Sequence, residues 1–168
     1  MKNLFKKIAL LCLVILMFGC SKDSPSTPTE VVKTKYKITA ITITQMPFYK
    51  PGTSILWDVI NNPDVFMGLV INNNTTVYNS TATLSNVTSA DIPLPWNLST
   101  PYQTSNFSDP IYIYIMDNDI DDTPSTSNET IGIVPFNMMY YTIGPDKYPS
   151  TVTSSNSGVT IKLNLTWE

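Results

Sequence analysis

The chain has no histidine, and all ten of its basic residues are lysines, so arginine is absent too. It has two cysteines, charged residues make up 14% of its 168 positions, and no stretch shows a sustained helical period. Each scarcity excludes something. Without imidazole a Ser nucleophile has no obvious base, and the strand-turn-helix nucleophile motif G-x-S-x-G does not occur. Soft metal sites built from His and thiolate are excluded with it. A carboxylate pair for glycoside hydrolysis is disfavoured because the acids are clustered too densely to flank a cleft. The expectation is a protein that is not an enzyme. Basic charge is also thin. From Cys20 onward seven lysines face 13 acids, a net charge of −6, and nucleic-acid binding needs the opposite footprint.

The amino terminus has the layout of an export signal. MKNLFKK is basic, and Ile8–Phe18 is an apolar run of 11 residues. As a helix that run would span about 16 Å, against about 30 Å for a hydrocarbon core. It is read as a signal peptide, residues 1–19. LMFGC, ending at Cys20, resembles a bacterial lipobox, although Phe18 is bulkier than usual. The resemblance implies cleavage before Cys20 and lipidation of its thiol. Cys12 lies in the discarded segment, so Cys20 has no disulfide partner. Several acyl chains on one cysteine anchor firmly where one binds only marginally. Ser21-Lys22-Asp23 weakly resembles the surface-export signal of some Bacteroidota lipoproteins. Residues 20–33 form a polar, Pro-containing tether. The expected location is the cell envelope, as an outer-membrane lipoprotein facing the periplasm or the cell surface.

Residues 34–168 are expected to form one all-β domain. Period-2 alternation marks strands at 36–44, Val65–Ile71, Thr76–Leu84, Pro110–Met116, Ile131–Phe136 and Val159–Trp167. The phase slips between Ala40 and Ile41, which suggests a bulge. Ile92–Leu98 contains two prolines and is assigned to an edge. A further strand is expected near 150–154, and the stretch 137–157 otherwise resists assignment. Short strands separated by Asn, Pro, Ser and Gly turns give an antiparallel two-sheet sandwich of eight strands. Trp57, Trp96 and Trp167 are expected in its core rather than on a sugar platform, with Trp57 set near a loop end.

The acids are not scattered. Asp117, Asp119, Asp121, Asp122 and Glu129 fall within 13 residues, with no base among them. Two carboxylates at about 4 Å repel by about 4 kcal/mol at an effective dielectric of 20. A cation removes that cost, and an all-oxygen ligand set points to calcium. The segment does not make an EF-hand. Asp122 stands where its loop needs Gly, Asn128 stands where it needs Glu, and the flanking IYIYI is a strand.

A second acid pair, Asp58 and Asp64, lies six positions apart in WDVINNPDVFMG. Taken in order, Asp58-x5-Asp64, Trp96-Asn97 in IPLPWNL, Asp117-x-Asp119 and Glu129-Thr130-Ile131-Gly132 resemble the C2 domain, the calcium-binding sandwich of synaptotagmins and protein kinase C. The resemblance covers residues 36–136 by motif. One strand before the first acid pair and a closing strand at 159–167 fit the permuted, type II form. It implies calcium held by Asp58, Asp64, Asp117, Asp119 and Glu129 with the Asn118 carbonyl, and a further site from Asp121 or Asp122. The chain departs from the family in lacking a Lys-rich strand at 76–84 and any apolar residue in the TPSTSN loop tip. Those departures count against family-style membrane docking; beyond the membrane reached through Cys20, the partner of the loops is open between lipid head groups, a glycan and another envelope protein. The competing expectation is an adhesion or glycan-binding sandwich in which calcium is structural or absent.

Overall fold

The alternation becomes two four-stranded antiparallel sheets. The computed structural model describes residues 31–58, 61–72, 75–79, 82–119 and 128–168. The leader, Cys20, Asp121 and Asp122 lie outside them. Lys33–Glu168 form one compact unit. Of the other unit, Met1–Val32, only Val31 and Val32 are described, and both are exposed.

The strands are β1 (Tyr36–Gln45), β2 (Val65–Ile71), β3 (Thr75–Asn79), β4 (Leu94–Thr104), β5 (Ile111–Asp117), β6 (Glu129–Phe136), β7 (Thr151–Asn156) and β8 (Val159–Trp167). One sheet runs β4-β1-β8-β7 and the other β3-β2-β5-β6. The eight-stranded sandwich is therefore as expected, with one strand before the first acid pair and β8 closing beside β1. Its core is the inward half of each alternation. Ile111, Ile113 and Ile115 of β5 and Val159, Ile161 and Leu163 of β8 are fully buried. Each such aliphatic side chain contributes about 1.5–3 kcal/mol by leaving water.

Departures from regular alternation have local causes. In β1 the register shifts between Ile38 and Ala40 against both neighbours, so Ala40 and Ile41 both turn inward. That is the bulge the phase slip implied. β4 is an edge strand, but it continues to Thr104 rather than stopping at Leu98. Tyr102 pairs with Ile38 and Asn97 with Ala40, so residues 98–101 oppose Thr39 alone. The swelling accommodates Pro101, which has no N–H to offer a ladder. β3 is shorter than expected, although Leu84 still bridges Val65. Asn79 pairs with Gly68, and Leu84 with Val65. Within the stretch that resisted assignment, Met138–Thr142 form a 3-10 turn capped by the Asn137 side chain.

The two poles of the sandwich differ in chemistry. At one, Tyr36, Tyr102, Phe107, Tyr148 and Trp167 pack together, with the contacting ring centroids 5.4–6.3 Å apart. The chain enters the fold there, where Thr34 N–H donates to the Glu168 carbonyl at 2.6 Å. At the other pole β1 ends, β8 begins, and the β1–β2 and β5–β6 loops meet. The sheets approach closely there. A Cβ added to Gly132 of β6 would lie 2.6 Å from Val159 Cγ2. Trp57 and Trp96 are buried and Trp167 half-buried, the core placement expected of them.

Candidate metal centre

The strand β5 does more than lead into an acidic loop. Residues 111, 113, 115 and 117 share one parity, so the alternation that buries three isoleucines also carries Asp117 inward. Asp117 is fully buried, and Asp119, two residues on, is 3% exposed. From the β1–β2 loop comes Asp58, 2% exposed. Carboxylate oxygens of Asp58, Asp117 and Asp119 lie within 4.8 Å of one another.

The β1–β2 loop is built to hold Asp58. Pro51 and Gly52, the latter at φ 74°, suit the central positions of a type II turn, closed by Thr53 N–H on the Lys50 carbonyl at 3.1 Å. Around that turn a small hairpin forms. Tyr49 bridges Leu56, and Lys50 N–H donates to the Ile55 carbonyl at 2.8 Å. Trp57 closes its base, its indole N–H donating to the Pro47 carbonyl at 2.9 Å. Asp58 follows directly.

One oxygen of Asp117 is held by backbone. Its Oδ1 accepts the Asp64 N–H at 2.7 Å, while its buried Oδ2 has no hydrogen-bond partner among the described residues. Burial pushes its carboxyl up from 3.8 to about 6. The charges of Asp119 and Asp64 push the same way, and hydrogen bonds from the Asp64 N–H and with Asp58 resist.

The other expected ligands take up different positions. Asp64 opens β2 but is not in the cluster of three. Its Oδ1 accepts the Asn86 N–H at 2.7 Å, and its carbonyl accepts the Asn118 N–H at 2.9 Å. It braces the site through its backbone and ties it to the β3–β4 loop. Glu129 pairs across the ladder with Asp117, which puts both side chains on one face. Yet its Oε2 lies 2.6 Å from Lys50 Nζ. Asp121 and Asp122 fall outside the described residues. Lys50 and Asn86 were not singled out from sequence. The Pro51-Gly52 signature beside Lys50 was the one local signal available, and Asn86, at φ 55°, gave none.

Fold and site together define the class: an antiparallel β-sandwich with three buried carboxylates converging at one pole. No family model matches the chain, and no curated protein matches it. Similar solved structures include a C2 domain, 11% identical over 80% of this chain and 97% of that one, with a TM-score of 0.48. A C2 domain of plant extended synaptotagmin 1 is 11% identical over 83% of this chain and 96% of that one, with a TM-score of 0.45. Human GIVD cytosolic phospholipase A2 is 12% identical over 83% of this chain, which spans 17% of that protein's length, with a TM-score of 0.48. At these identities and scores the functional reading rests on this chain's own residues. No helix among the described residues is long and apolar enough to cross a membrane.

Proposed function

We propose that this chain is a non-catalytic, lipid-anchored protein of a bacterial cell envelope whose C2-like sandwich binds calcium through Asp58, Asp117 and Asp119. One observation carries the metal site. Three buried carboxylates meet within 4.8 Å, and the buried Oδ2 of Asp117 has no hydrogen-bond partner among the described residues. Native chains pair or bond buried carboxylates, because an unmatched one is costly. A divalent ion would supply that oxygen's partner and offset the repulsion within the cluster. Every donor is a hard oxygen, which selects calcium or magnesium over zinc or copper. Calcium accepts six to eight oxygens in a flexible shell, so further ligands are needed, and the Asp64 carboxylate, the Asn118 carbonyl and Glu129 are the candidates. Magnesium holds its waters and demands a stricter geometry.

The anchoring half of the proposal rests on the sequence of residues 1–20, and mass spectrometry of the mature protein tests it at Cys20. For the metal, melts of the purified chain are to be compared in calcium, magnesium and chelator. Calcium at 100 times its dissociation constant adds about 2.7 kcal/mol to the native state. For a domain of this size that is about 8–10 °C. Magnesium should give much less. Equal melting temperatures in chelator and in millimolar calcium would remove the metal site. Lipid and glycan arrays with and without calcium then identify which envelope component the loops hold.

A further inference from the structure

The proposed site has a cation of its own at the rim. Lys50 Nζ and Glu129 Oε2 lie 2.6 Å apart, with side chains 29% and 37% exposed. Neither partner is there by accident of a long flexible side chain. The Pro51-Gly52 hairpin fixes the Lys50 backbone, and that same hairpin delivers Asp58 to the cluster. Glu129 is fixed by the ladder, directly across from Asp117. One ion pair therefore joins the β1–β2 loop, which supplies Asp58, to the start of β6, which pairs with the Asp117 end of β5.

We propose that Lys50 is an internal competitor for the calcium site, its ammonium holding the Glu129 carboxylate away from the ion until calcium displaces it. This rests on the calcium reading above. An ammonium and a calcium ion seek the same oxygens, and Glu129 cannot serve both at full strength. With Lys50 in place the protein offers three converging carboxylates. Once Lys50 swings out, it offers a fourth on the same face as Asp117. The released ammonium has solvent within reach, since Lys50 is already partly exposed. Lys50 thereby lowers calcium affinity and couples occupancy of the site to release of the 49–56 hairpin from β6.

The test is a double-mutant cycle of Lys50→Met and Glu129→Gln in the purified chain, read by urea unfolding and by calorimetric calcium titration. In chelator the two substitutions should be energetically coupled, and at saturating calcium the coupling should vanish. Lys50→Met should raise calcium affinity about three- to tenfold, as a partly exposed ion pair and one ligand charge allow. That gain should shrink to less than about twofold in the Glu129→Gln background, again by the size of an exposed pair. Lys50→Arg should keep the wild-type affinity. Coupling of the same size with and without calcium would overturn the proposal and leave the calcium site standing. If neither the wild type nor Lys50→Met binds calcium, the proposal falls together with the calcium reading.

Discussion

Asp117→Asn should make the calcium-free protein more stable. The substitution keeps the side chain's shape and removes its charge. The amide oxygen can retain the 2.7 Å bond from Asp64 N–H, and the new NH2 group replaces the unpartnered Oδ2 with a donor facing carboxylates. Two magnitudes agree on the scale. Like charges at the outer limit of the cluster, 4.8 Å, repel by about 3.5 kcal/mol at an effective dielectric of 20. The displacement of the carboxyl from 3.8 to about 6 corresponds to a ceiling of about 3 kcal/mol. Allowing for the hydrogen bonds that the carboxylate forfeits, the expected gain in chelator at neutral pH is about 2 kcal/mol, or about 6–8 °C in melting temperature. The sign with pH follows from linkage. The folded chain holds its Asp117 proton up to about pH 6 and the unfolded chain releases it near 3.8. Stability from this group is therefore full below 3.8, falls as pH rises toward about 6, and stays lost above. The variant lacks that slope, so its advantage should disappear near pH 4. In millimolar calcium the order should invert, with wild type gaining and the variant not. Chelator and calcium melts across pH 4–8 read all of this. An Asn variant that is less stable than wild type in chelator at neutral pH would refute the account in which burial, together with like charge, disfavours the Asp117 carboxylate.

Two other substitutions probe the scaffold. Gly132→Ala should destabilise by about 1–3 kcal/mol, the usual cost of overpacking, because its methyl would meet Val159 Cγ2 at 2.6 Å; urea unfolding should show a lower midpoint with an unchanged slope. Trp57→Phe keeps most of the apolar bulk but removes the donor to the Pro47 carbonyl, and should cost about 1 kcal/mol. If the hairpin base positions Asp58, that variant should also lose calcium affinity, whereas an unchanged titration would show that Asp58 is held by its other contacts.

How far the sequence announced this depends on the range of the forces involved. Val65–Ile71 and Val159–Trp167 were legible to the residue because burial on one face imposes a period of two along the chain itself. The slip in β1 was legible for the same reason, since Ala40 and Ile41 cannot both face inward without an extra residue. Asp117 follows the same parity as three isoleucines and so turns inward. The extension of β4 was hidden, because Pro101 signals a break and only pairing with Lys37 and Tyr36 carries the strand past it. The fates of Asp64 and Glu129 were hidden more deeply. The resemblance to the C2 domain placed them among the ligands, but Asn86 lies 22 residues from Asp64. Lys50 approaches Glu129 through a hairpin in another sheet connection. Neither contact leaves a local pattern.

The position of Thr34 has a directional consequence. The amide of Thr34 is tied to the Glu168 carbonyl beside the aromatic pole, so both ends of the described sandwich lie remote from the carboxylates. The carboxylate pole is left to strand ends and loops. A label placed at Thr34 or Glu168 would therefore sit at the opposite end of the sandwich from an ion bound among Asp58, Asp117 and Asp119.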